Sequence, residues 1–124
     1  LDRLLREADF ISVHSPLTSE TEGLIGRDAF AKMKESAVLV NTARGGIVDE
    51  EALLEALQAN RIRAAALDAT VHEPPQDSPL AQCENCILTP HAGAATEEAS
   101  SRMSRMAAQN VIDILIEGTC RYQI

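Results

Sequence analysis

Five residues, spread from position 14 to position 91, carry side chains suited to carboxylate binding and proton transfer: His14, Arg44, Asp68, Glu73 and His91. An arginine can grip a carboxylate through two parallel hydrogen bonds. A histidine titrates near neutral pH, and a neighbouring carboxylate can orient its ring and favour the imidazolium. Together these are the parts needed for chemistry at a carbonyl or hydroxyl group. Taken singly, each has a plainer account: Arg44 pairs with a surface acid, Glu73 solvates a loop, and His91 is a hydrogen-bonded histidine at a strand end. Convergence of the five is therefore the feature that matters, and it depends on the elements that carry them.

Those elements are organised around Ala37 to Glu51, AVLVNTARGGIVDEE. Ala37 to Val40 show no polar alternation, as expected of a strand buried on both faces in a parallel sheet. Arg44 stands just past its carboxyl end, Gly45 and Gly46 allow a sharp turn, and Asp49 is placed to cap a helix over Asp49 to Ala59 that Asn60 ends in the left-handed region. Before this, Asp2 to Ala8 carries Leu4, Leu5 and Ala8 at helical spacing, and Phe10 to Val13 is a short strand stopping at His14, Ser15 and Pro16. Leu17 to Glu22 is turn-like, and Ile25, Ala29, Phe30 and Met33 trace one side of a short helix. After it, Ala64 to Leu67 is a strand tipped by Asp68, Thr70 to Gln82 is a proline-containing loop, and Cys86 to Thr89 is a strand ending at Pro90 and His91. Thr96 caps a last helix, closed by Gly118, with an inward stripe of Ala99, Met103, Met106, Ala107, Asn110 and Ile114. Alternating strands and helices imply an α/β fold with a parallel sheet of about four strands. All carboxyl tips then lie along one edge, where open parallel sheets bind ligands.

Composition narrows the partners. The 124 residues suffice for one domain with its own core, which must be aliphatic because only Phe10, Phe30 and Tyr122 are aromatic. A balance of 11 basic to 19 acidic residues, net charge −8, opposes binding to a phosphate backbone, so no nucleic acid partner is expected. No apolar run reaches membrane-spanning length. Three cysteines cannot all pair internally, and a reducing, cytoplasmic setting is the simplest expectation. Cys83 and Cys86 spell CENC, a spacing used by zinc sites, but the remaining cysteine is Cys120 and no second paired motif exists, so no metal site is expected.

Several motifs in fixed order resemble one family across essentially the whole chain: HSPLT at His14 to Thr18, VNTARGGIVDEEAL at Val40 to Leu53, ALD with EP between Ala66 and Pro74, and LTPHAGAAT at Leu88 to Thr96. The chain resembles the later half of the NAD-binding, Rossmann-type domain of the D-isomer-specific 2-hydroxyacid dehydrogenases, with phosphoglycerate dehydrogenases the most similar in feel. The resemblance implies NAD as cofactor, a small 2-hydroxy or 2-oxo acid as substrate, and a homodimer. It makes Arg44 the carboxylate-binding arginine, His91 the proton donor and acceptor, and Glu73 the residue orienting His91. Cofactor contacts fall, by the same resemblance, at His14, Pro16, Thr18, Thr42, Ala43, Asp68 and Gly93. Where the family usually has DVF this chain has Asp68, Ala69 and Thr70, and where it often has HIGG this chain has His91, Ala92, Gly93 and Ala94. These differences bear on substrate identity.

The phosphate loop G-x-G-x-x-G and the ribose-binding acid beyond it are absent from these residues. The expectation is a fragment: the C-terminal portion of a dinucleotide-binding domain, inactive alone, whose full-length parent is the enzyme. The edge of the strand Phe10 to His14 would then be open and prone to pair with another copy. A binding module resembling the C-terminal-binding corepressors, which sense NAD(H), is the alternative.

Overall fold

Each of the four apolar segments forms a strand, and the strands add to the sheet in the order in which they occur in the sequence. The computed structural model describes residues 1–119, and the chain divides into two compact units, Leu1–Ala92 and Gly93–Ile124. Cys120 and Tyr122 lie outside the described residues.

In the first unit, helix α1 (Asp2–Glu7) leads into strand β1 (Phe10–Val13), helix α2 (Arg27–Lys32) into β2 (Val38–Asn41), and helix α3 (Glu50–Gln58) into β3 (Ala64–Leu67), before β4 (Cys86–Leu88). All neighbours are parallel and the sheet order is β1-β2-β3-β4. The register aligns Ile11, Leu39, Ala65 and Cys86 across the sheet. Parallel pairing requires crossovers, and the helices supply them, so every strand ends on the same edge.

Period-two burial decides where the core lies. Ile11, Val13, Leu39, Ala65 and Leu67 point to one face and join Leu5, Phe30, Leu53 and Leu57 of the three helices in a single buried cluster. The opposite face is less covered than expected. Val38 and Val40 stay half-buried and Phe10 is 79% exposed, so β2 is not sealed on both sides. The reason lies in the helices of this unit, whose buried residues all enter the one cluster.

Local signals are obeyed closely. Asp49 accepts hydrogen bonds from the Glu51 and Ala52 N–H groups at 3.1 and 3.0 Å, capping α3. Asn60 follows it with φ +52°. Ile25, Ala29, Phe30 and Met33 are buried as their spacing requires, whereas Leu4 is exposed and only Leu5 of its pair is buried. Strand β1 bonds to one neighbour and stands at the sheet edge.

The second unit holds helix α4 (Glu97–Glu117). Thr96 accepts from the Ala99 N–H at 3.1 Å, and Gly118 closes the helix at φ +65°. The expected inward stripe is not buried: Met103, Met106 and Ile114 are exposed, and Ala99 and Asn110 only half-buried. A periodic stripe marks a face able to pack, and within this unit no other described element is present to receive it. No described helix is long and apolar enough to cross a membrane.

Candidate active site

The loop after β2 is built on a buried amide. Asn41 ends the strand at 1% exposure; its Nδ2 donates to the Arg44 carbonyl at 2.9 Å, and its Oδ1 accepts the Ala43 N–H at 3.1 Å. These two bonds fold residues 41–44 into a turn that leaves the Arg44 guanidinium outside. Arg44 Nη1 donates to the Ala43 carbonyl at 2.7 Å, and no carboxylate pairs with it among the described residues. Gly45 then passes so close to the next strand's loop that a Cβ there would lie 2.2 Å from the Thr70 carbonyl carbon and oxygen and 2.5 Å from the Val71 nitrogen. The loops after β2 and β3 are thus in backbone contact.

Glu73 and His91 come from the tips of β3 and β4. His91 Nδ1 lies 3.0 Å from Glu73 Oε1 and 3.1 Å from Oε2. The pair leaves Nε2 as the ring nitrogen turned to other partners. Glu50, the first residue of α3, accepts the Val71 N–H at 2.7 Å, and the Thr70 hydroxyl donates to the His72 carbonyl at 2.9 Å, so the Glu73 loop is tied to α3 and braced within itself. On the other side, Asp68 Oδ1 accepts from the Thr89 hydroxyl at 2.5 Å and the Ala92 N–H at 2.8 Å. This ties the β3 tip to the segment bearing His91, whose φ of +54° is uncommon for a side-chain-bearing residue and marks a position held by its surroundings.

Two adjoining cavities open on this edge. One, of about 510 Å³, is lined by Arg44, Gly45, Thr70, Glu73 and His91 together with Leu17 and Glu22. The other, of about 580 Å³, is lined by His14, Ser15, Pro16, Leu17, Thr42 and Ala43 and shares Arg44. Arg44, Glu73 and His91 therefore converge in one cavity, and His14, Pro16, Thr42 and Ala43 in its neighbour. Asp68 lines neither, its carboxylate being engaged with Thr89 and Ala92. Thr18 sits in the exposed turn beyond Pro16, where its N–H donates to the Thr21 hydroxyl at 2.8 Å. Gly93 belongs to the second unit.

A family model described as the D-isomer specific 2-hydroxyacid dehydrogenase, NAD binding domain, matches residues 1–93. The chain belongs to this family. Among similar relatives, a D-3-phosphoglycerate dehydrogenase of Methanocaldococcus jannaschii is 49% identical over 115 residues, covering 93% of this chain and 22% of that protein. A glyoxylate/hydroxypyruvate reductase B of Pectobacterium atrosepticum is 51% identical over 116 residues, covering 93% of this chain and 36% of that protein. Among solved structures, D-lactate dehydrogenase with NAD+ from Lactobacillus jensenii superposes with a TM-score of 0.89 at 35% identity, covering 99% of this chain and 41% of that one. The chain thus spans between about a fifth and two fifths of the length of these dehydrogenases.

Within this NAD binding domain, two residues that hold the site escaped the sequence reading as functional. Asn41 was signalled by its place in the pattern: a polar residue two beyond Leu39, on the buried face of β2. Glu50 carried no such mark, since a first-turn acid is ordinarily there to favour the helix dipole. Cys83 and Cys86 are free and half-buried. Burial and the neighbouring Cys83 push the Cys86 thiol up to about 11, so it is a protonated, slow-reacting group at neutral pH.

Proposed function

We propose that these residues form the C-terminal portion of the dinucleotide-binding domain of a longer dehydrogenase, which interconverts small 2-oxo and 2-hydroxy acids using NAD(H). The reading is carried by one arrangement: a guanidinium with no carboxylate partner among the described residues shares a cavity with an imidazole whose Nδ1 is held by Glu73. The family and its NAD-containing neighbour support the cofactor. So does the second cavity, which shares Arg44 with the first and is lined by His14 to Leu17 beyond β1 and by Thr42 and Ala43 beyond β2.

Arg44 takes the substrate carboxylate in a planar, two-bond grip that fixes which face of C2 is presented. A lysine cannot impose that plane. His91 gives its Nε2 proton to the C2 carbonyl oxygen, or takes it back in the reverse direction, while Glu73, bonded to Nδ1, keeps the ring oriented. NADH, when bound, supplies the hydride that C2 receives, so one 2-oxo acid, one NADH and one proton give one 2-hydroxy acid and one NAD+. By their names, related proteins act on phosphorylated and unphosphorylated acids, so 3-phosphoglycerate and hydroxypyruvate are the two kinds of substrate between which this site must choose.

The test is steady-state reduction of glyoxylate and hydroxypyruvate, with NADH, by the full-length enzyme and its Arg44→Lys variant. The variant is expected to lose about a hundredfold in kcat/KM, the scale of a lost orienting contact. Unchanged kinetics would remove Arg44 from the mechanism. Failure of the wild type to turn over any 2-oxo acid would favour an NAD(H)-sensing binding module instead.

A further inference from the structure

Glu22 lines the same cavity as Arg44 and His91, and neither the reaction nor the site's architecture uses it. It ends a tightly fastened turn. The Glu22 N–H donates to the Thr18 carbonyl at 2.9 Å, and the Thr21 hydroxyl donates to the Pro16 carbonyl at 2.6 Å. The next residue, Gly23, donates its N–H to the Gly46 carbonyl at 2.7 Å, which pins the turn beside the Arg44 loop. The Glu22 carboxylate has no hydrogen bond or ion pair among the described residues, and neither does it pair with Arg44. Glu73, the other acid of the cavity, is committed to His91. What the cavity presents to a ligand is therefore one open cation, one open anion, and the exposed apolar side chains of Leu17 and Val71.

We propose that Glu22 sets the substrate class of this site: it accepts a hydrogen bond from a hydroxyl at C3 or C4 of the 2-hydroxy or 2-oxo acid and rejects a phosphate there. The proposal rests on the dehydrogenase reading for the placement of the acid. With the C1 carboxylate on Arg44, the remaining carbons run along Leu17 and Val71, and the far end of a short acid meets an acceptor. A carboxylate accepts strongly from a hydroxyl. Against the doubly charged phosphate it is repulsive, and the lining of this cavity adds no lysine or second arginine to offset the repulsion. Overall identity to the relatives does not separate the two classes, whereas a fixed charge in the cavity does.

Two readouts on the full-length enzyme test it. The first is calorimetric titration of D-glycerate and 3-phospho-D-glycerate in the presence of NAD+; the second is kcat/KM for hydroxypyruvate and its 3-phosphate with NADH. The wild type is expected to favour the unphosphorylated acid in both. Glu22→Gln keeps size and an acceptor but removes the charge, and should shift both ratios about tenfold toward the phosphorylated acid; Glu22→Lys should shift them about a hundredfold. Raising the ionic strength should shrink the wild-type preference, which a purely steric exclusion would not do. Ratios unmoved by both substitutions, or a wild type that prefers the phosphorylated acid, would overturn the assignment. Binding without turnover of either acid would sink the dehydrogenase reading while the binding ratio still decides Glu22, and failure to bind either acid would overturn both.

Discussion

Gly45→Ala places a methyl group where the structure has none to spare. The added carbon would sit 2.2 Å from two backbone atoms of Thr70 and 2.5 Å from the Val71 nitrogen. An ordinary non-bonded carbon contact is about 3.5 Å or more, so the loops after β2 and β3 must separate by roughly 1 Å. The obstacle is backbone on both sides, which no rotamer change can relieve, and overpacking of this kind costs about 1–3 kcal/mol. The functional cost is larger, because the clash falls between Arg44 on one loop and Glu73 on the other. A shift of about 1 Å between groups that must act together lowers the rate by about a hundredfold. Steady-state kinetics and thermal unfolding of the full-length enzyme read both effects. Gly118→Ala is the control: nothing lies within 4 Å of its added Cβ, its φ of +65° costs about 1 kcal/mol of stability, and it lines neither cavity. If Gly45→Ala retains kcat/KM within about twofold, the two loops do not position one another and the close contact is incidental.

Two further expectations concern the chain of 124 residues taken alone. Its parallel ladder sends the Val38 N–H to the Asp9 carbonyl, and the alternation of such a ladder turns the Ser12 N–H outward, so Ser12→Pro should leave the β1–β2 pairing intact yet weaken self-association through the open edge. Sedimentation showing a monomer at high concentration, or equal association of both forms, would refute use of that edge. Without a glycine-rich phosphate loop in its sequence, the same chain should bind NAD more weakly than about micromolar, since that loop and its helix terminus form the main anion site in such folds; calorimetry with a micromolar dissociation constant would contradict this.

What the sequence makes legible is whatever a short local pattern dictates. Ala64–Leu67 and Phe10–Val13 have the strand limits their apolar runs suggest, and Asp49, Asn60, Thr96 and Gly118 cap helix ends as their chemistry requires. Patterns fail where burial depends on what lies opposite. Val38 is as apolar as Leu39, yet one is half-buried and the other fully so, because only one face of β2 shares the helices' core. Met103 and Ile114 keep perfect helical spacing and remain exposed. A stripe specifies that a face can pack; the packing itself is a property of another segment.

The site divides in the same way. Arg44, Glu73 and His91 are legible because parallel strands put their carboxyl ends on one edge, so three distant residues at three tips must come near one another. Their mutual geometry, however, is set by bonds that cross from one tip to the next: Asn41 inside the Arg44 turn, Glu50 on the Val71 amide, and Asp68 on Thr89 and Ala92. None of these has a sequence period, and each bond partner is backbone or a small hydroxyl that leaves little trace in composition. Asp68 shows the consequence. The resemblance marked it as a cofactor contact, while in the structure its Oδ1 ties β3 to the segment carrying His91, so its removal would act first on where the histidine stands. Residues that touch a ligand advertise themselves by type, whereas those that hold them in place become visible only once the backbone they bond to has been folded around them.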